Sequence, residues 1–160
     1  MAVTNRVSTI IGPPGTGKIV RVYAKRRQQL DNKLDKISLH ELMNGEGNDA
    51  EFDHLRRESL VRQLSKKEQS DFKAASIRAQ IAILRKHRVV VSTLSTTATE
   101  AISQLQPYAL LIDEGAQCMI PEGLIAIATG AKKLTIFGDP HQLPPLIISR
   151  RVSLTSFSST

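Results

Sequence analysis

Three apolar runs in the second half of the chain constrain its fold most: "RVVVST" from Arg88, "YALLIDE" from Tyr108 and "KLTIFGD" from Lys133. They are too short for buried helices and lack the period of two expected of a half-solvated strand. Such runs predict strands of a parallel sheet, buried on both faces. A fourth β-rich run, Val7 to Ile11 (VSTII), precedes a loop of glycines and prolines. From about Ile19 to Lys86 the chain is polar, charged and helix-prone. Leu60, Val61 and Leu64, then Ile77, Ile81 and Leu84, recur there at helical spacing and predict packing faces. "MNGEGNDAEF", Met43 to Phe52, reads as a loop between helices. Strand, glycine loop, helices and three more strands is the order of an α/β domain, a parallel sheet flanked by helices, with a charged helical insertion over about 20–87. That domain is expected over residues 1–150. The Ser/Thr-rich segment 151–160 is expected to be a disordered tail.

Chemically loaded residues cluster where these strands end, and in parallel α/β sheets ligands bind beyond the C-terminal strand ends. Gly12-Pro13-Pro14-Gly15-Thr16-Gly17-Lys18 spells the phosphate-binding pattern G-x-x-x-x-G-K-[ST] except for its last letter, which is Ile19. The glycines let backbone N–H groups face phosphate oxygens, and Lys18 reaches the β- and γ-phosphates. In "ALLIDEGAQ", four apolar residues run into Asp113 and Glu114. Adjacent carboxylates at a strand end fit Asp113 to a magnesium ion and Glu114 to polarising a water, with Gln117 close enough to join them. "TIFGDPHQLPP" supplies a third polar strand end, with Gly138, Asp139 and Gln142, and Gln142 is suited to hydrogen-bond a γ-phosphate. The structural alternatives are a glycine-proline turn, a strand-ending N-cap and a proline-rich turn. Three of them in succession account for the pattern less well than one ATP site. His40, His54, His87 and His141 have no metal-ligand spacing with each other or with Cys118.

Charge and composition bound the partners. Residues 1–88 hold 18 lysines and arginines against 10 acids, whereas residues 89–160 hold 4 against 5. A basic half is compatible with polyanion binding and equally with a solvated helical face. With Cys118 the only cysteine, no internal disulfide can form, which fits an intracellular location, nucleus or cytoplasm. No apolar run is long enough to span a bilayer, so no membrane partner is expected.

"GPPGTGK", "VVVSTLS", "LLIDEGAQ" and "IFGDPHQLPP", in this order, resemble the first RecA-like motor domain of superfamily 1 helicases, in the senataxin-like and nonsense-mediated-decay branch. The resemblance covers roughly residues 7–150 and is densest in the second half. It implies a P-loop NTPase fold, ATP and magnesium as cofactors, and single-stranded RNA or DNA as partner. It also implies roles: Asp113 and Glu114 as the magnesium-holding and catalytic acids, and Gln142 as the catalytic glutamine coupling γ-phosphate to the nucleic-acid track. Gln117, Gly138 and Asp139 belong to the same coupling cluster, and Ser92 and Thr93 match a segment near the nucleic-acid backbone. "GPPGTGK" is shared with hexameric AAA+ ATPases, an outside alternative that would form nucleotide-dependent rings.

The departures from that pattern are specific. Ile19 replaces the hydroxyl residue that ligates magnesium. Loss of even an outer-shell partner lowers metal affinity or activity about 10–100-fold. Gly115 stands where alanine is usual, an exchange expected to be tolerated. Between Ile19 and His87 no strong β-run replaces the family's next strand, "KISLHEL" being the best candidate. The glutamine that reads adenine would lie upstream of Gly12. The second motor domain and its arginine fingers, worth about 10³–10⁵ in rate in related enzymes, are expected from a separate chain if anywhere. Three readings stay open: a motor domain that binds nucleotide with little hydrolysis and no unwinding, a non-catalytic nucleotide- or nucleic-acid-binding module, and an incomplete domain whose missing strand leaves it poorly folded.

Overall fold

The computed structural model describes residues 8–11, 19–22, 35–45, 49–139 and 141. Five short strands form one sheet: β1 Ser8–Ile11, β2 Ile19–Arg21, β3 Val89–Ser92, β4 Ala109–Ile112 and β5 Lys133–Ile136, in the order β2-β3-β1-β4-β5. β2 pairs with β3, and β4 with β5, in parallel. β1, at the centre, runs antiparallel to both β3 and β4. The expected all-parallel sheet is therefore mixed.

Chain length supplies the physical reason. Ile11 and Ile19 both register on Val89, one on each side of it. They stand two strand spacings apart, about 9.6 Å, which the intervening seven residues span readily. A parallel β1 would end at the opposite edge, and parallel strands need a crossover of about a dozen or more residues.

β2 is also a correction, because Ile19 begins a strand where a helix was expected. Its β-branched Ile19 and Val20 favour extended backbone. "KISLHEL" contributes one parallel bridge, Ser38 to Arg21, before turning into α1 (Leu39–Asn44). The "MNGEGNDAEF" break does separate two helices. Asp49 ends it by capping α2 (Ala50–Val61), its side chain accepting from the Phe52 N–H at 3.0 Å. α3 (Lys66–Arg85) starts from a complete capping box between Ser65 and Glu68. α4 (Glu100–Ser103) and α5 (Ile120–Ile127) follow β3 and β4. None of the described helices is long and apolar enough to cross a membrane.

The core lies under one face of the sheet. Val20, Val90 and Leu110 fall on one cross-sheet row and are buried. They share a cluster with Ala75, Ala79, Ile83 and Leu84 of α3, and with Phe52, whose ring stacks on Phe72 at 5.4 Å. The alternate row, Val89, Val91, Ala109 and Leu111, is half-buried, so burial on both faces is not reached. As the outer strand β5 has one neighbour, and Leu134 and Ile136 are exposed. Leu60 and Val61 are exposed too, contrary to the predicted stripe. Phe52 and Leu55 set the buried side of α2, and at 3.6 residues per turn Val61 lies half a turn away from Phe52.

The helical pair consumes much of its own charge. Arg62 bonds Glu68 at 2.6 and 3.0 Å and Glu58 at 2.5 Å. Its guanidinium, followed by the Ser65 hydrogen bonds, holds the Glu68 carboxyl well below the usual carboxylate range. A depressed folded-state pKa contributes stability above the ordinary value of 4.5, and that contribution is lost as pH falls through the folded value. Ser65→Ala removes the N-cap acceptor of α3 and should destabilise by about 1 kcal/mol in urea unfolding at neutral pH. The stability gap between the native chain and Glu68→Gln should narrow on acidification. A gap unchanged between pH 7 and pH 3 would show that the Arg62–Glu68 pair contributes nothing.

The direction of β1 is tested by cross-linking in a Cys118→Ser background. Ser8 and Ser92 are direct antiparallel partners, about 4.5–5.5 Å apart at Cα and within disulfide range. Ser8→Cys with Ser92→Cys should oxidise to one intramolecular disulfide, and Ile11→Cys with Ser92→Cys should not. The opposite yields would make β1 parallel.

Candidate functional site

Four of the five strands end at one edge of the sheet, and that edge carries the described polar residues. β4 delivers Asp113 and Glu114, β5 delivers Gly138 and Asp139 through Phe137, and β3 delivers Ser92 and Thr93. The conjunction follows from the shared direction of β3, β4 and β5, so the sequence expectation holds for these three.

Asp113 and Glu114 are folded onto their own backbone. Glu114 adopts the left-handed conformation, φ 57° and ψ 36°, which costs a non-glycine residue about 1–2 kcal/mol. Its N–H donates to Asp113 Oδ1 at 3.0 Å, and its Oε2 accepts from Gln117 Nε2 at 3.0 Å. Gln117 N–H also donates to the Glu114 carbonyl at 3.0 Å, closing the 3₁₀ turn Gly115–Gln117. Gln117 thus joins the acids, as its spacing suggested.

The turn is docked on the next strand. Gly115 N–H donates to the Phe137 carbonyl at 2.6 Å, and Phe137 N–H donates to the Ile112 carbonyl at 2.7 Å. A β-carbon on Gly115 would overlap Ile136 Cγ2 and lie 3.2 Å from the Phe137 carbonyl oxygen. One on Gly138 would lie 2.6 Å from the Ala116 nitrogen. Alanine at position 115 is thus not accommodated unless a neighbour shifts. Gly115 and Gly138 were read only as a tolerated exchange and a polar strand end. The available signal was a glycine within two or three residues of each of two neighbouring strand ends.

Two carboxylates at one strand end, with Asp113 exposed, provide the hard oxygen donors magnesium takes, completed by water and phosphate. Among the described residues no group of three or more histidines, cysteines and acids forms a metal site on its own. Ser92 is buried, and the Thr93 hydroxyl is within hydrogen-bonding distance of Thr96 Oγ1 at 2.7 Å and Ser95 Oγ at 3.3 Å. Thr93 thus serves the 3₁₀ turn Ser95–Ala98 after β3.

Ile19 is not at this edge. It registers on Val89, at the start of β3, with its side chain half exposed. Ile11 registers on Val89 and Ala109, also at that far edge. The two residues flanking the glycine loop thus lie about 10 Å, three strand residues, from the edge bearing Asp113. Gly12, Pro13, Pro14, Gly15, Thr16, Gly17 and Lys18 themselves lie outside the described residues, as do Pro140, Gln142 and the tail 151–160.

The basic half is partly spent internally. Arg78 pairs with Asp49 and Glu51, Arg62 with Glu58 and Glu68, and Arg56 donates to the Met43 carbonyl and Asn44. The count of basic side chains therefore overstates how many of them lack an acidic partner, whereas the net charge already includes these acids.

The sequence model of the family described as "AAA domain" matches residues 19–150. ATP-dependent helicase upf1 of Schizosaccharomyces pombe is 29% identical over 144 residues, 89% of this chain and 16% of that protein. ATP-dependent helicase NAM7 of Saccharomyces cerevisiae is 31% identical over 137 residues, 85% of this chain and 14% of that protein. Helicase sen1 of Schizosaccharomyces pombe is 30% identical over 135 residues, 83% of this chain and 7% of that protein. The chain therefore spans a small part of the length of these relatives.

Proposed function

The chain belongs to the superfamily 1 helicases, in the nonsense-mediated-decay and senataxin-like branch, and on that premise we propose that it binds ATP with little hydrolysis and no unwinding of its own. Membership implies a P-loop NTPase fold and an ATP-dependent ancestry. The glycine loop, Gly12 to Lys18, retains its backbone donors and its lysine, so a phosphate cradle is the reading its composition supports. The observation that carries the rest is the shared register of Ile11 and Ile19 on Val89. It sets both flanks of that loop at the edge opposite Asp113 and Glu114.

Hydrolysis needs the acids and the γ-phosphate at one place, because phosphoryl transfer depends on positioning and charge stabilisation. Asp113 would hold magnesium with water and phosphate oxygens, and the bound ion would neutralise charge developing on the phosphate. Glu114 would polarise the attacking water, with Gln142 reading the γ-phosphate. Their separation from the loop's flanks, together with Ile19 in place of a hydroxyl, favours binding over turnover. Single-stranded RNA or DNA is the proposed partner, held mainly through phosphates because aromatic residues are only 4% of the chain. A second motor domain would supply the arginine that stabilises charge on the transferring phosphate.

A fluorescent ATP analogue titrated into the native chain, Lys18→Ala, Asp113→Asn and Ile19→Thr tests this, with phosphate release measured in parallel. Lys18→Ala should weaken binding about tenfold or more, the size of a lost charge-assisted bond. Asp113→Asn should leave affinity unchanged, and Ile19→Thr should gain no turnover. Magnesium-stimulated turnover by the native chain, or lost affinity in Asp113→Asn, would join the loop and the acids in one working site and overturn the proposal.

A further inference from the structure

Glu114 is held in a conformation its own sequence does not favour, and the force holding it comes from another strand. A non-glycine residue enters the left-handed region only when its surroundings impose it. The surroundings here are the bond from Gly115 N–H to the Phe137 carbonyl, at 2.6 Å, and the approach of the Gly115 α-carbon to Ile136. That approach exists only because position 115 has no β-carbon. On the other side, Gly138 permits the same closeness to the Ala116 nitrogen.

We infer that Gly115 is the positioning residue for the Glu114 carboxylate: its contact with Ile136 and Phe137 docks the turn on β5, and this docking holds Glu114 left-handed with its carboxylate on Gln117. Undocking would break the Gly115–Phe137 bond, release Glu114 to the right-handed region and swing its carboxylate off Gln117. The same contact ties Glu114 to the segment leading into Asp139, so a displacement of either strand end is felt at the other. The chemical value of that placement rests on the reading of Glu114 as the water-polarising acid. The docking itself does not.

The pair Gly115 and Ile136 makes the inference testable by size matching. Reducing Ile136 to alanine removes Cγ2 and leaves Cβ at 3.7 Å from a β-carbon at 115, so the tightest remaining neighbour is the Phe137 carbonyl oxygen at 3.2 Å, which has to give by a few tenths of an ångström. Ile136 is exposed, so its truncation alone removes little burial. Native chain, Gly115→Ala, Ile136→Ala and the double variant are compared by NMR, reading the Glu114 N–H to Hα coupling and hydrogen exchange of the amide at 115. Gly115→Ala should shift the Glu114 coupling to its right-handed value and speed exchange at 115 about tenfold. Ile136→Ala should match the native chain, and the double variant should return both readouts most of the way to native. Should Gly115→Ala fail to fold, the double variant should recover the native spectrum. An unchanged Glu114 coupling in Gly115→Ala, or a double variant no better than the single one, overturns the inference. Fluorescent ATP titrated into the same proteins separates the two readings: absence of binding by the native chain sinks the nucleotide proposal and leaves the docking result standing.

Discussion

The seven residues between Ile11 and Ile19 set the direction of the central strand, and through it the layout of the whole sheet. With both ends registered on Val89, β1 has to run against β3 and β4. The hydrogen-bond ladder tolerates this well, since antiparallel pairing is slightly the more stable per residue. The consequence for function is larger than for stability. Reversing one strand of four residues moves its C-terminal end, Ile11, across the sheet.

The polar edge opposite depends on backbone contacts more than on side chains. The Glu114 N–H donates to Asp113 Oδ1, Gln117 Nε2 donates to the Glu114 carboxylate, and the turn is pinned through Gly115 to Phe137. It is pre-organised by strand pairing, since Phe137 N–H also bonds Ile112 and extends the β4–β5 ladder past β5. The turn nonetheless hangs on the sheet's outer strand, whose side chains are exposed.

What the sequence made legible follows a physical division. β3, β4 and β5 were readable because apolar runs flanked by polar residues leave few alternatives, and the acids were readable because charge after such a run is costly without a partner. β2 was missed because three residues carry little periodicity, and because a phosphate-binding loop is ordinarily followed by a helix. The stripe through Leu60 and Val61 failed because spacing gives a face but not its phase, which Phe52 and Leu55 set by packing. The direction of β1 and the left-handed Glu114 are tertiary outcomes. Each depends on a partner far along the chain, Val89 for one and Phe137 for the other.

The same division explains why motif order and motif geometry can part company. Order along the chain survives any reversal of a strand, so a family resemblance carried by "GPPGTGK", "LLIDEGAQ" and "IFGDPHQLPP" says nothing about which edge of the sheet each phrase occupies. Geometry adds the missing constraint. The second and third phrases remain adjacent because β4 and β5 are parallel neighbours and two glycines let their ends touch. The first phrase has no such tie among the described residues, since its flanks pair with the starts of β3 and β4 and not with their ends. Binding by the loop needs only local backbone and Lys18, whereas hydrolysis needs all three phrases at one edge. On the proposed reading, the first capacity would tolerate the reversed strand, and the second would not.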